Sequence, residues 1–428
     1  MELKEVKSNR TGESYFCGVH ESGLKVCIFE KKDSNSSFAI LGTKFGSINT
    51  KFVDVKSSES VTVPDGIAHY LEHKLFENED GDSFQKFART GASANAYTSF
   101  DITAYLFSCT DNFFESLKIL LDFVQNPYFT KESVDKEREI IAQEIKMYDD
   151  DPHWSVENNM LAGMYHKHPV RVDIAGDVDS ISKITAESLF LCYSNFYNLN
   201  NMSLCIAGKQ DKNEILEILD KKIVPVPTVK TKPIFPEEPY EVLNQRVEQE
   251  FDIKLPNFRL GFKEKMTLED LPLKKAVLSD LILEIFASKA SPLYRELMDK
   301  ELINSSFRAS FMEGPGYAHI VFSGESTNPD MVAEIIRKAA LEFRTGDGIT
   351  EEDFDRAKKV VYASYVFLLD EVKDIASSML HSSLFGREFF SHMDAAADAK
   401  IEDLKERLTE ELDPDNSCLS IVSPLKED

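Results

Sequence analysis

An internal duplication is the feature of this sequence that most restricts its fold. Tyr105-Leu-Phe-Ser is followed by a predicted amphipathic helix, a turn and Thr130, and Ile320-Val-Phe-Ser is followed by the same order up to Thr350. The two threonines, an aspartate that follows each of them and the apolar pair that ends each segment recur at an offset of 220 positions. Repetition at a fixed offset indicates repeated structural units. We therefore predict an α+β protein with two homologous domains, each a mixed sheet with helices packed on one side.

A proline-rich stretch separates the two copies. Residues 225–239 contain five prolines, which prevent a regular helix and favour extended chain. We predict a first domain over 1–224, a linker over 225–239 and a second domain over 240–428. The apolar pattern of the first domain predicts strands at Leu24–Glu30, Phe38–Phe45 and Met202–Ala207, and helices at Ser116–Val124 and Lys131–Tyr148.

Charge and cysteine usage restrict the class of partner and the compartment. The formal net charge is −25, which argues against nucleic acid or an anionic membrane as a partner, because both require basic surface. The six cysteines are scattered without a CxxC pair, and no apolar stretch is long enough to span a bilayer. The first residues also lack the apolar core of a signal peptide. We expect a cytoplasmic protein with reduced thiols and no membrane span.

The segment Asp65-Gly-Ile-Ala-His-Tyr-Leu-Glu-His-Lys-Leu-Phe carries the clearest chemical signal. Asp65 is predicted to cap a helix that begins near residue 66. His69, Glu72 and His73 then share one helical face, with the apolar residues of the segment on another. Two imidazoles one turn apart can bind the same zinc ion, and the glutamate between them can accept a proton from the attacking water. This HxxEH order is typical of inverzincins.

The helix predicted at Lys131–Tyr148 offers a third zinc ligand. Glu137 and Glu144 lie on or beside its apolar stripe, where carboxylates are costly unless they are paired or bound to metal. We predict Glu144 as the ligand and Glu137 as an acid that orients a ligand or the water. The alternative is a pair of structural salt bridges. At the offset of 220 positions, alanine and serine replace the two glutamates, which indicates that the fold does not require them.

These motifs resemble the pitrilysin/insulinase family of zinc peptidases, which includes mitochondrial processing peptidase. The resemblance covers nearly the whole chain. Within the family, the chain is similar to the bacterial YmfH type, and also to a related member that helps to mature the bacteriocin subtilosin. Besides the two helices, the matching segments are Gly91-Ala-Ser-Ala-Asn-Ala-Tyr-Thr, His168-Pro and Asn201-Met-Ser-Leu-Cys-Ile-Ala-Gly. The resemblance implies two LuxS/MPP-like metallohydrolase domains, of which only the first binds zinc.

The resemblance also implies residue roles. One zinc ion per chain would be bound by His69, His73 and Glu144, with Glu72 as the base and Glu137 as its supporting acid.

Four further residues match family positions that contact substrate. Asn95, Ala96 and Tyr97 match an edge-strand segment that binds the substrate backbone, which is consistent with strand addition at a sheet edge. Phe76 matches a position that lines the substrate pocket. A turn role for Asn95 and core packing for Phe76 stay open as alternatives.

One departure from the family pattern shapes the functional prediction. Active members place an arginine and, seven residues later, a tyrosine in the second domain, where they hold the substrate carbonyl. Met298 and Ser305 occupy those places here. We therefore expect a zinc-dependent endopeptidase, acting on a peptide substrate, that works as the zinc-bearing subunit of a heteromeric peptidase, with bacteriocin or other peptide maturation as a candidate role. A homologous partner subunit would lack HxxEH and supply the arginine and tyrosine.

Two alternatives to the heteromeric peptidase remain. One is a self-sufficient homodimeric peptidase with other carbonyl donors, and the other is a non-catalytic peptide-binding or scaffolding subunit. The complete set of His69, Glu72, His73 and Glu144 argues against a scaffold, because a scaffold does not need a group that activates water.

Overall fold

The computed structural model describes residues 1–79, 81–265 and 272–426. The strands are β1 (Lys4–Lys7), β2 (Ser14–Val19), β3 (Lys25–Glu30), β4 (Ser37–Thr43), β5 (Lys51–Val53), β6 (Ser60–Thr62), β7 (Glu77–Asn78), β8 (Gly81–Asp82), β9 (Ser93–Thr98), β10 (Thr103–Cys109), β11 (Met202–Gly208), β12 (Lys232–Pro233), β13 (Arg246–Phe251), β14 (Asn257–Lys263), β15 (Arg308–Gly314), β16 (Tyr317–Glu325) and β17 (Ser417–Pro424).

The helices are α1 (Ile67–Leu75), α2 (Ser83–Thr90), α3 (Phe113–Gln125), α4 (Lys131–Asp149), α5 (Pro152–Met164), α6 (Val178–Ser182), α7 (Ala186–Phe196), α8 (Lys212–Lys222), α9 (Leu273–Ala287), α10 (Pro292–Asp299), α11 (Pro329–Phe343), α12 (Glu351–Phe367), α13 (Val372–Leu384), α14 (Ser391–Asp398) and α15 (Ile401–Leu408). The strands and helices predicted from the first half of the sequence are confirmed as β3, β4, β11, α3 and α4. No helix within the described ranges has the length and apolar character that a bilayer crossing requires.

The chain forms two compact units, each assembled from three segments. The first contains Met1–Gln143, Ile174–Ile234 and Val366–Phe390, and the second contains Glu144–Asp173, Phe235–Tyr365 and Ser391–Asp428. The chain passes from one unit to the other five times: within α4, near residues 173 and 234, within α12 and near residue 390. The domain boundaries predicted from the sequence, 1–224 and 240–428, remain a prediction. The compact units differ from those domains because the first unit includes Val366–Phe390 and the second includes Glu144–Asp173.

Each unit contains a mixed sheet with the same strand plan. The first sheet has the order β1-β2-β3-β11-β4-β10-β9, and the second has the order β13-β17-β14-β16-β15. In the first, β11 is parallel to β3 and antiparallel to β4, and β10 is antiparallel to both β4 and β9. In the second, β17 is parallel to β13 and antiparallel to β14, and β16 is antiparallel to both β14 and β15. The duplication predicted from the sequence is therefore present as repeated topology.

The exchanged segments supply one helix to each sheet. Helix α13, from the second sequence repeat, packs on β3, β4 and β11 of the first unit, and α5, from the first repeat, packs on β13, β14 and β17 of the second. Gly42 and Gly261 lie under these helices. A Cβ at Gly42 would come within 2.8 Å of Leu380, and one at Gly261 within 2.3 Å of Met164. A side chain at either position would require Leu380 or Met164 to move, so the two glycines allow the helices to pack closely on the sheets.

The other helices of each unit pack on the opposite face of its sheet, since neighbouring residues on a strand point to opposite faces. The mixed sheets are as predicted, but helices lie on both of their faces rather than on one side. Leu260 and Phe262 flank Gly261 and pack in the main core of the second unit with α9, α11 and α12. This arrangement explains why β4 and β11 are buried along their whole length.

Candidate metal centre and active site

Helix α1 begins at a tightly packed glycine. Gly66 has φ of +82°, and a Cβ there would lie within 2.2 Å of the carbonyl oxygen of Ala175. The prediction that Asp65 caps this helix is wrong, since no side chain caps its first turn. A left-handed glycine makes the turn instead, because only glycine accepts both this φ and this close approach. The start of α1 is therefore fixed by backbone packing.

Contacts with the first turn of α4 fix the rest of α1. The hydroxyl group of Tyr70 donates a hydrogen bond to the carbonyl oxygen of Val134. Lys74 is fully buried; its ammonium group donates to Glu77 and, over 3.3 Å, to the carbonyl oxygen of Ser133. A buried ammonium group requires partners of this kind. These bonds set the spacing between the two helices that carry the predicted zinc ligands.

His69, His73 and Glu144 come together as one cluster. Each offers a ligand atom, and the three atoms lie within 4.8 Å of one another. Within the described ranges, this is the one group of three or more histidine, cysteine or acidic side chains with such spacing. Two imidazoles and one carboxylate match the donor set of catalytic zinc sites. Glu144 lies where α4 leaves the first unit, and the continuous helix carries it into place.

The ligand candidates have supporting partners on α4. The Nδ1 atom of His73 lies 3.0 Å from Oε1 of Glu137, which leaves Nε2 as the ring nitrogen for a metal. Burial alone would raise the pKa of Glu137, but the contact with His73 and the charges of Lys74 and Lys136 together outweigh it and lower that pKa. The hydroxyl group of Tyr148 donates to Oε1 of Glu144 over 3.0 Å, and its ring stacks on Trp154 at 4.6 Å between centroids.

Glu72 lies between the two histidines and is held by a strand residue. It is 8% exposed, and the hydroxyl group of Thr98 donates to its Oε2 over 2.6 Å. Sequence reasoning did not single out Thr98 or Tyr148. Both could have been found: Thr98 closes the Asn-Ala-Tyr-Thr segment, and Tyr148 lies one helical turn beyond Glu144.

Asn95, Ala96 and Tyr97 lie on β9, at the edge of the first sheet, as the family resemblance implied. The strand pairs with β10 on one side, and Asn95 and Tyr97 are exposed. The side-chain oxygen of Asn95 accepts a hydrogen bond from the amide of Ala96 over 2.9 Å, within the strand rather than in a turn. In the described part of the chain, the outer side of β9 pairs with no other strand, so it can accept an extended segment.

Phe76 lies in an aromatic cluster at the end of α1. It is 7% exposed, and its ring stacks on Phe84 at 4.1 Å and on Phe123 at 5.0 Å between centroids. Most of its surface is therefore used in packing.

The second unit holds the residues that depart from the family pattern. Met298 lies on α10 with 39% of its surface exposed, and Ser305 lies in an exposed turn where its carbonyl oxygen accepts a bond from Arg308 over 2.6 Å. Ala357 and Ser364, which correspond to the two glutamates of α4, belong to α12. Ala357 is buried, and the hydroxyl group of Ser364 donates to the carbonyl oxygen of Val361 in its own helix. These two side chains offer no ligand pair like that of α4.

Comparison with known proteins supports the family resemblance. The profile described as "Insulinase (Peptidase family M16)" matches residues 53–178, and the profile described as "Peptidase M16 inactive domain" matches residues 183–361. The "Uncharacterized zinc protease YmfH" of Bacillus subtilis is 37% identical over 429 residues, which cover 99% of each chain.

Two further proteins illustrate the range of similarity. The crystal structure of a "putative M16-like peptidase" from Alicyclobacillus acidocaldarius has a TM-score of 0.92 and 32% identity, and the match covers 99% of each chain. The "Probable mitochondrial-processing peptidase subunit beta" of Arabidopsis thaliana is 26% identical over 221 residues, which cover 50% of this chain and 41% of that protein.

Proposed function

This chain belongs to the M16 family of zinc proteases, and from that membership we propose that it is a zinc-dependent endopeptidase with a peptide substrate. The observation that carries the proposal is the grouping of His69, His73 and Glu144 within 4.8 Å, with Glu72 on the same face of α1. When bound, zinc would act as a Lewis acid that makes water nucleophilic at neutral pH. Proton transfer and the positioning of the ligands and substrate would be carried out by side chains of the protein.

Glu72 is the proposed general base. Its carboxylate would accept the proton of the attacking water and then return it to the departing amine. The hydrogen bond from Thr98 uses one lone pair of Oε2 and fixes the orientation of the carboxylate. An ionised carboxylate has several acceptor positions, so the bond from Thr98 is compatible with a hydrogen bond from the water.

Glu137 and Tyr148 are proposed positioning residues for the ligands. Glu137 would keep the ring of His73 in the tautomer that presents Nε2, and the hydroxyl group of Tyr148 would restrict rotation of Glu144. Such partners commonly change metal affinity or activity by about 10–100-fold.

The proposed substrate site is the free edge of β9. An extended peptide would pair with the backbone of Asn95, Ala96 and Tyr97, which gives affinity with little demand on sequence. The rings of Phe84 and Phe123 cover much of the surface of Phe76. We therefore propose that Phe76 supports this site by packing rather than by direct contact with the substrate.

We further propose that a homologous partner subunit completes the site. Met298 and Ser305 cannot replace an arginine and a tyrosine as carbonyl donors, and one such donor commonly contributes a few kcal/mol in the transition state. The name of the mitochondrial-processing relative identifies it as a subunit, which supports a heteromeric arrangement. A homodimeric peptidase and a non-catalytic peptide-binding subunit remain the alternatives.

The test compares the isolated chain with mixtures. The purified chain should contain about one zinc ion and cleave a quenched-fluorescent peptide slowly. Addition of a homologous protein that lacks HxxEH and is encoded by a neighbouring gene should raise the rate of cleavage by orders of magnitude. Replacing the partner's arginine with alanine should abolish the gain while this chain keeps its zinc. Full activity of a homodimer would contradict the heteromeric proposal, and zinc binding without activity in any mixture would favour the scaffold.

A further inference from the structure

The second unit contains an open cavity of about 660 Å³ between α9, α12 and the edge strand β15. Helix α9 comes between β14 and β15 in chain order, as α1 comes between β4 and β9 in the first unit. The cavity therefore corresponds, in the repeat, to the position of the zinc-ligand cluster on α1 and α4. Ser364 on its α12 wall takes the place of Glu144. Its size is within the usual range for ligand pockets, about 300–1,000 Å³.

An acidic side chain without a cationic partner lies in the wall of this cavity. Asp280 on α9 accepts a hydrogen bond from the hydroxyl group of Tyr365 over 2.8 Å. In the part of the chain that the structure describes, no lysine, arginine or histidine forms a salt bridge with Asp280. Burial, together with the smaller effect of the charge on Glu313, raises the pKa of Asp280 to about 6, against the lowering effect of the hydrogen bond from Tyr365. A carboxylate in this setting is costly unless a cation binds to it.

The other charged groups around the cavity are already engaged or lie at its rim. Glu284, one turn along α9, forms a salt bridge of 3.0 Å with Arg356. The guanidinium group of Arg308 donates to the carbonyl oxygens of Ser305 and Phe307. Lys289 follows α9 and contributes to the rim. Neither Arg308 nor Lys289 is among the causes of the pKa shift of Asp280. Asp280 is therefore an acidic group in the wall that forms no salt bridge within the described residues.

Aromatic rings make up much of the remaining wall. Tyr294, Phe307 and Phe311 line the cavity together with Tyr365, and the rings of Tyr294 and Phe307 pack edge to face at 6.0 Å. Ring faces attract alkylammonium and guanidinium groups, and the attraction is stronger where water is excluded. A carboxylate surrounded by such rings complements a cation on an apolar stem.

We propose that this cavity binds an alkylammonium or guanidinium group, with Asp280 as the counter-ion and the aromatic wall around its stem. Such a group reaches the cavity on the lysine or arginine side chain of a peptide, or as a free diamine. The high negative charge of the whole chain attracts cations of both kinds. The proposal does not depend on zinc or on peptide cleavage.

Binding is tested on the full-length chain after removal of metal with a chelator. Calorimetry compares an octapeptide that contains one lysine with the same peptide containing norleucine, which has the stem without the charge. We expect the lysine peptide to bind at least about 10-fold more tightly, as for a hydrogen bond to a charged group. Asp280→Asn should remove that preference, while Glu284→Gln, whose carboxylate is paired with Arg356, should keep it.

Two further experiments identify the source of the cation and show whether a loss of binding is caused by misfolding. Cadaverine that displaces the lysine peptide at similar concentrations would support a free diamine as ligand, and weak displacement would support a peptide side chain. Tyr365→Phe tests the same site through a second residue and should reduce the preference while retaining the circular dichroism of the wild type. Equal affinity for the lysine and norleucine peptides, or an unchanged preference in Asp280→Asn, would overturn the proposal.

Discussion

The two units share the order of five sheet strands but differ in the side chains that their helices carry. Both have a parallel pair of strands followed by three antiparallel neighbours in the same order, and an exchanged helix covers a central glycine in each sheet. Helices α1 and α4 of the first repeat carry His69, His73 and Glu144. In the second unit, α9 and α12 offer Asp280, Tyr365 and Ser364 instead. The apolar rows and the glycines specify the architecture, and the residues of the cleft vary without loss of the fold.

The largest expected effect comes from removing the zinc ligands, which distinguish the first repeat from the second. His69→Ala or His73→Ala should release most of the zinc and abolish peptide cleavage, because a single histidine and one carboxylate hold the ion too weakly. The second unit, which folds without such ligands, indicates that the sheet should survive. Metal analysis and circular dichroism check both points. His153→Ala, at an exposed position on α5, is the control and should keep the zinc. Unchanged zinc in both cleft variants would refute the ligand assignment.

A second substitution separates zinc binding from proton transfer. Glu72→Gln should keep the zinc and the fold while lowering the rate of cleavage by about 10²–10⁴-fold, since an amide cannot accept a proton from water. The rate is measured in whichever assembly cleaves the test peptide. Glu79→Gln, just beyond α1, should cleave at the wild-type rate. If Glu72→Gln cleaves as fast as the wild type, another group is the base.

The third prediction concerns the support of a ligand. Glu137→Gln weakens the contact with His73, so zinc affinity or activity should fall by about 10–100-fold. Competition with a chelator measures the affinity. Glu139→Gln lies on the same helix with an exposed side chain and should leave the affinity unchanged. A similar loss in both variants would point to helix stability rather than to the bond with His73.

The smallest effect concerns the stability of the second unit. The pKa of Asp280 is about 6 in the folded chain and about 3.9 in an unfolded one, so ionisation destabilises the fold as pH rises from 4 to 6. Asp280→Asn removes this penalty. Its melting temperature should exceed that of the wild type by about 1–3 °C at pH 8 and equal it near pH 4.

Calorimetric scans at both pH values check this prediction. Tyr365, Glu313 and Glu411 are the titratable groups coupled to Asp280, and all three are retained in the variant. A lower melting temperature at pH 8 would mean that the carboxylate stabilises the second unit, in contrast to the ligand-binding role proposed for it.

Sequence patterns predicted the elements of the site well, because its main residues lie on two amphipathic helices. The spacing of His69, Glu72 and His73 follows from helical geometry alone. Placing Glu144 beside them required a choice of helix face, which the stripe of Ile141 and Ile145 provided. The start of α1 was predicted less well. Asp65 is a good capping residue by type, but the close approach of Ala175, a tertiary contact, requires the glycine that follows it.

The features that the sequence did not reveal all depend on contacts between distant segments. Thr98 reaches Glu72 only because β9 packs beside α1. The exchange of α5 and α13 was also missed, although both helices begin at the same offset of 220 positions. Amphipathic periodicity shows that a helix has an apolar face, but it does not identify the sheet that receives that face.

The exchanged helices have a consequence for synthesis on the ribosome. All seven strands of the first sheet have been synthesised once residue 208 is made, yet α13 follows only at residues 372–384. Until then, the face around Gly42 lacks its cover and exposes apolar side chains to solvent. Domains usually fold in order as they leave the ribosome. Here, the last segment of the first unit, Val366–Phe390, is made only after most of the second, so we expect the first unit to reach its final packing late in synthesis.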